Sequence, residues 1–175
     1  MSSRPQEIVT LLQAQRFSVQ RVTHRLADNR PVVREVVRHP GAVVVVPVLD
    51  DGRICLIKNY RAAVNLELIE LPAGTREPNE PPIETARREL LEETGYRCAS
   101  IEPLCDFFMS PGILDEHMYA FVAEGLTAEN PAREFGEEIE TLLVSREQLD
   151  AMLVANQIQD AKSIATLLYF ERFRR

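Results

Sequence analysis

Apolar and polar positions alternate in several short blocks along the chain and take helical spacing in others. Residues 5–15 place Ile8, Leu11 and Leu12 on one helical face, which predicts a short helix. Residues 17–38 change to alternation. Val19 and Val22 precede a turn at Asp28-Asn29-Arg30-Pro31, and Val32, Val33, Val36 and Val37 follow it, so strands are expected on both sides. A boundary falls at His39-Pro40-Gly41. Beyond it, residues 42–49 and 53–59 read as two strands joined into a hairpin by Asp50-Asp51-Gly52. Further strands are predicted at 66–71, 101–108, 118–124 and 139–144, with Tyr119 and Phe121 alternating as strand core does. Residues 81–94 read as a helix, Pro81 and Pro82 suiting its first turn and Gly95 the position just past its end. Ser145 and Gln148 form a capping box for a helix to about residue 155, and a last helix spans about 160–172. Strands outnumber helices and the hairpins imply antiparallel or mixed pairing. The pattern therefore predicts an α+β or α/β/α sandwich, with residues 1–39 as a strand-rich extension and 40–175 as the main domain.

Composition adds limits. With 175 residues, 45% hydrophobic and 27% charged, the chain suits one domain with a full core and an appended arm. A formal net charge of -7 and the lack of an aromatic-rich basic stripe argue against nucleic acid held on a broad basic surface. They leave room for a small phosphate ligand, because a bound divalent cation inverts the local field. Cys55, Cys98 and Cys105 are too few and too scattered for a disulfide framework or a zinc site; Cys55 and Cys105, among apolar neighbours, read as buried thiols. His24, His39 and His117 lack zinc-like spacing and read as structural. The polar opening has no apolar stretch after it, and the longest apolar run, 42–49, is too short to span a bilayer. No membrane partner and a cytoplasmic setting are expected.

The candidate chemistry lies on the helix at 81–94. Glu92 and Glu93 stand three and four places after Glu89, so all three share one face, with Ile83, Leu90 and Thr94 turned to a core-facing side. Ala86, beside that stripe, is expected to leave room next to the carboxylates. Three like charges repel, and the helix dipole near its C-terminus adds to the penalty. A hard divalent cation would reverse both, since it prefers oxygen ligands. A solvated acidic face, locally compensated by Arg87 and Arg88, is the other reading these glutamates allow.

The wider spacing separates the two readings. Gly74, Glu80, Arg88, Glu89, Leu90, Glu92, Glu93 and Gly95 stand in the register Gly, five residues, Glu, seven residues, Arg-Glu, an aliphatic, any residue, Glu-Glu, any residue, Gly. A chance match has odds on the order of one in 10⁸. This pattern resembles the Nudix box, departing only at Tyr96, where an aliphatic is usual. The resemblance covers about residues 40–170 and implies the Nudix fold: an α/β/α sandwich with a mixed sheet, here with an N-terminal β extension. It also implies metal ligation by Glu89, Glu92, Glu93 and the Ala73 backbone carbonyl. Magnesium is the implied ion and manganese a substitute. Glu80 and Arg88 would fix the loop against the helix through a charge-assisted hydrogen bond.

Outside the box, Lys58-Asn-Tyr-Arg61, Glu67-Leu-Ile-Glu70-Leu-Pro-Ala-Gly74, Ser110-Pro-Gly-Ile-Leu-Asp-Glu116 and Asp160-Ala-Lys-Ser163 resemble the ADP-ribose pyrophosphatase branch. Pro111, 16 residues beyond Gly95, matches a proline of that branch. The implied reaction is metal-dependent hydrolysis of a nucleoside diphosphate sugar, with ADP-ribose giving AMP and ribose 5-phosphate. GDP-mannose or another nucleotide sugar is the alternative, and a non-catalytic nucleotide-sensing domain the second class. Arg61, Glu70, Pro111, Gly112 and Glu116 are the implied substrate-side residues; for Arg61 a surface salt bridge is an equal reading. The catalytic base of the branch maps to the acidic stretch after Phe135-Gly136, as Glu137, with Glu138 and Glu134 as alternatives. Members of the branch are commonly homodimers whose N-terminal strands cross to the partner. Residues 1–39 fit that role, or that of a self-contained extension.

Overall fold

The protein, described here from a computed structural model, has a described structure over residues 7–129 and 139–174. Two compact units divide it: one takes the residues up to Gly41 with Phe108–His117, the other Ala42–Phe107 with the residues from Met118 onward.

The first unit contains an antiparallel sheet in the order β1-β2-β3, built from β1 (Glu7–Gln13), β2 (Ser18–Arg25) and β3 (Pro31–Arg38). The helix expected at 5–15 is instead β1. A single isolated helix of that length is marginal in water, whereas pairing with β2 gives one edge of the segment a ladder of hydrogen bonds. The register explains the misleading periodicity. Thr10 pairs with Gln20 and Leu12 with Val19, so Leu11 is the extra residue of a β-bulge and the strict alternation is lost. The β2–β3 turn falls where predicted, with Asn29 in the left-handed region at φ 68°. Residues of the Phe108–His117 segment dock on β3: Val37 N donates to Ile113 O (2.8 Å) and Asp115 N to Val37 O (3.1 Å).

The second unit holds β4 (Ala42–Pro47), β5 (Ile54–Arg61), β6 (Leu66–Glu70), β7 (Ala73–Thr75), α1 (Pro82–Thr94), β8 (Tyr96–Phe108) and β9 (His117–Ala128) apart from their end residues Phe108 and His117, β10 (Glu140–Val144), α2 (Arg146–Val154) and α3 (Ala161–Phe173). Two sheets result, β7-β4-β9-β8 and β10-β5-β6. The first is mixed, since β4 runs parallel to β9 and antiparallel to β7. The expected hairpin between β4 and β5 survives only as its turn. Gly52 takes φ 82°, Leu49 N donates to Arg53 O and Val48 bridges Ile54, after which the strands enter different sheets. Every residue of β4 is buried, so both of its edges and both faces need partners, which one hairpin neighbour does not supply. Val43 and Val45 pack with Ala86 and Leu90 of α1, Ile101, Phe121 and Ala123. Ala86 is therefore core, not open space beside the carboxylates: its methyl is fully buried under the helix. Cys55 is buried and its thiol pushed up to about 12 by desolvation, while Cys105 is only half-buried.

α1 begins at a proline pair without a side-chain cap and ends at Gly95, whose φ of 73° lets its N–H reach Leu91 O at 2.9 Å. The loop before it is tied down by Glu80. Its carboxylate accepts from Arg88 Nε and Nη2 (both 3.2 Å), from Thr85 Oγ1 (2.8 Å) and from Glu77 N (3.1 Å), while Arg76 donates to the Glu80 carbonyl. The Arg88 hydrogen bond, together with those from Thr85 and Glu77, outweighs burial and holds the Glu80 carboxyl down at about 2 against an ordinary 4.5. A depressed carboxylate stabilises the fold above its ordinary range and loses that contribution as the pH falls through the folded value. Glu80→Gln should thus cost about 1–2 kcal/mol near pH 7, allowing for solvent screening, or about 2–8 °C in Tm. The gap to wild type should close between pH 4.5 and about 2, as thermal melts across that range will read. A gap that stays constant with pH contradicts the ion pair.

Candidate active site

Helical spacing gathers the box carboxylates as expected. Glu93 is buried, at 4% exposure, and its Oε2 accepts from Ala73 N at 2.8 Å, tying the last turn of α1 to the start of β7. Glu89 and Glu92 share one cation: Arg88 Nη1 lies 2.8 Å from Glu89 Oε1 and 2.9 Å from Glu92 Oε2. One guanidinium thus serves Glu80 with one edge and two candidate ligands with another nitrogen. Burial disfavours its charge, but the hydrogen bonds to Glu80 and Glu92 and the charge of Glu89 outweigh that and raise its pKa well above the usual arginine range. No basic residue occupies the last turn of α1, so the helix end itself offers the carboxylates no compensation.

Gly74 explains where Glu89 sits. A Cβ on residue 74 would lie 1.9 Å from Glu89 Cδ and 2.0 and 2.3 Å from its two oxygens. The carboxylate occupies the volume that any side chain at 74 would need. Among the described residues, no three His, Cys, Asp or Glu side chains are grouped tightly enough to hold a metal ion as they stand. Glu93 is turned to the Ala73 amide while Glu89 and Glu92 converge on Arg88. The donor chemistry nevertheless fits a hard divalent cation: all are carboxylate oxygens, and a positive group already bridges two of them.

Arg61 and Glu70 are brought together. Glu70, the last residue of β6, is fully buried and receives Arg61 Nε on Oε1 (2.8 Å) and Nη2 on Oε2 (2.6 Å), a bidentate pair. The Glu70 hydrogen bond outweighs desolvation and raises the Arg61 pKa, and the charge of Glu93 acts in the same direction. Three residues that the Asp160-Ala-Lys-Ser163 match contained without a role complete this group. Lys162 Nζ lies 2.5 Å from Glu70 Oε2 and 2.9 Å from Asp160 Oδ2, and Ser163 Oγ accepts from Leu71 N at 2.7 Å. A lysine at the second position of a helix would be read as solvent-facing, so only the motif could have marked it.

Pro111, Gly112 and Glu116 belong to the first unit. Pro111 and Gly112 are exposed on a turn closed by Ile113 N and Leu114 N on Ser110 O. Glu116 lies 3.5 Å from His39 Nδ1. Its neighbour Asp115, not singled out in the sequence, accepts from Arg38 Nη1 (2.9 Å) and His39 N (2.8 Å). Glu134, Glu137 and Glu138 lie outside the described residues.

Among the described residues, no helix is long and apolar enough to cross a membrane. The NUDIX domain family model matches residues 38–167. An ADP-ribose pyrophosphatase of Bacillus subtilis (strain 168) is 36% identical over 148 residues, covering 83% of this chain and 80% of its own. A methanol dehydrogenase activator of Bacillus methanolicus is 35% identical over 148 residues, with the same coverage of 83% and 80%. A GDP-mannose pyrophosphatase of Enterobacter sp. (strain 638) is 29% identical over 172 residues, covering 89% and 88%. A crystal structure of an ADP compounds hydrolase superposes with a TM-score of 0.86 at 21% identity, covering 99% of this chain and 94% of the other. The box, its buried glutamate and the family match agree: this chain belongs to the NUDIX domain family.

Proposed function

We propose that this protein hydrolyses the diphosphate linkage of a nucleoside diphosphate sugar, with ADP-ribose, giving AMP and ribose 5-phosphate, as its leading substrate. The observation that carries the reading is the set Glu89, Glu92 and Glu93, which crowds three carboxylates at one helix end beside the side-chain-free Gly74. Nudix hydrolases generally use a divalent metal. Magnesium, or manganese in its place, would be held by these carboxylates and the Ala73 carbonyl. Such an ion neutralises phosphate charge and lowers the pKa of an attacking water. The chain's own residues do the rest. Arg61, its Nε and Nη2 held by Glu70, presents its remaining N–H donors to phosphate or ribose oxygens. Glu137 is the proposed base, with Glu138 and Glu134 as its rivals. Pro111, Gly112 and Glu116 are proposed substrate contacts. GDP-mannose is the second reading, supported by the GDP-mannose pyrophosphatase relative. A nucleotide-sensing domain without turnover is disfavoured by the complete carboxylate set, although one relative is named as an activator.

A homodimer is proposed as well, with residues 1–39 crossing to the second copy. β1 supports this: it is an edge strand, and Ile8, Val9, Leu11 and Leu12 are all exposed on it. The cytoplasm is the proposed compartment, in keeping with three unpaired thiols.

Turnover of a panel of nucleoside diphosphate sugars with magnesium tests the substrate, ADP-ribose being expected to give the highest kcat/KM. Equal turnover of every member, or preference for GDP-mannose, overturns that assignment. Glu93→Gln keeps an oxygen for the Ala73 amide, so its melting curve should be preserved while metal-dependent kcat falls about a hundredfold. Gly74→Ala should change Tm by no more than about 2 °C, because only the end of a flexible side chain must move. Its metal affinity, read by calorimetry, should still drop about tenfold. Wild-type metal affinity in that variant removes Glu89 from the ligand set. For Glu137→Gln, single-turnover kinetics should give a large fall in kcat with metal binding intact; a change confined to KM reassigns it to binding.

A further inference from the structure

Residues 70–73 are held at every position, by three elements of the second unit. The Glu70 carboxylate meets Lys162, Leu71 N reaches Ser163 Oγ, the Pro72 carbonyl accepts from Val45 N, and Ala73 N donates to Glu93. Two of these four anchors come from the first turn of α3. That turn is set by Asp160, the N-cap, whose Oδ2 accepts from Ser163 N (2.9 Å) and Ser163 Oγ (2.6 Å) and also pairs with Lys162.

The charges run Arg61, Glu70, Lys162, Asp160, alternating in sign and summing to zero. Their side chains are 36%, 0%, 10% and 14% accessible, so the run is most buried at Glu70. Only Arg61, at one end, keeps a substantial surface in solvent. A buried carboxylate with one partner removed is costly and tends to rearrange, whereas one fully paired is rigid. Glu70 can hold the Arg61 fork in a single geometry only if its own position is fixed by a further partner, and Lys162 is that partner, sharing Oε2 with Arg61 Nη2.

We propose that Lys162 is a positioning residue for Arg61: as the second cation on the buried Glu70 carboxylate, it fixes the carboxylate that orients the guanidinium toward substrate phosphate or ribose oxygens. The last step rests on the hydrolase reading above, whereas the orientation of Arg61 does not.

The test uses the full chain with Lys162→Met and Lys162→Arg, each alone and combined with Arg61→Ala. The Arg61 Nε–H resonance of ¹⁵N-labelled protein reports orientation without any ligand. Lys162→Met should move it toward the free-arginine position, and Lys162→Arg should restore most of the wild-type shift. With ADP-ribose in EDTA, where no metal-dependent turnover occurs, Lys162→Met should raise Kd about tenfold. With magnesium, KM should rise by a similar factor and kcat change by less than about twofold. In the Arg61→Ala background, Lys162→Met should add almost nothing to Kd, since the effect passes through Arg61. Should Lys162→Met fail to fold, Lys162→Gln, uncharged and able to donate, replaces it. An unshifted Arg61 resonance in a folded variant, or a Kd loss that adds in full to that of Arg61→Ala, overturns the proposal. If the wild-type protein neither binds nor hydrolyses any nucleoside diphosphate sugar, the hydrolase reading falls, and the Arg61 resonance still decides the role of Lys162.

Discussion

Like-charge repulsion among Glu89, Glu92 and Glu93 is the constraint to which the surrounding structure responds. The three carboxylates stand at the C-terminal half of α1, where the dipole opposes them and no basic residue lies in the last turn. Relief comes from two directions. Arg88 places one nitrogen between Glu89 and Glu92, and the Ala73 amide caps Glu93. Arg88 is itself fixed by Glu80, so the loop before the helix and the charge balance on it are one arrangement. Remove the Glu80 anchor and the arginine loses the partner that keeps it beside the other two acids.

A second tier of buried charge stands behind the first. Glu70 lies in the core with no exposed surface, a position that a carboxylate tolerates only with full pairing. Arg61 and Lys162 supply it. The same short segment, residues 70–73, then reaches β4 through Pro72 and α1 through Ala73. The core of the second unit and the acidic helix face are thus joined by a few polar contacts in addition to the apolar packing of Val43, Val45, Ala86 and Leu90.

How far the sequence spoke for itself depended on whether a feature was local. The ends of α1 and the capping box of α2 are set by residues a few places apart, and the structure has them where the pattern puts them. The box glutamates share a face for the same reason. Non-local pairing was not legible. β1 has apolar residues at helical spacing but finds its hydrogen bonds in β2, and the bulge at Leu11 hides its alternation. The turn at Gly52 was plain, yet the strands on either side part because β4 is claimed by β7 and β9. The motif marked Glu70 as a substrate-side residue, but not its burial or its pairing with Lys162, 92 positions away, which only the fold creates.

Gly74 and Glu89 occupy what is in effect a single volume, shared across a strand and a helix. That makes them a linked pair in inheritance. While the carboxylate at 89 is needed, any side chain at 74 is penalised, even though the strand there requires no left-handed backbone. A descendant that abandoned the acid at 89 would have the space vacated and no remaining steric reason to keep glycine. Drift at position 74 would therefore be an early trace of lost chemistry, visible in a diverging lineage before the fold itself had changed.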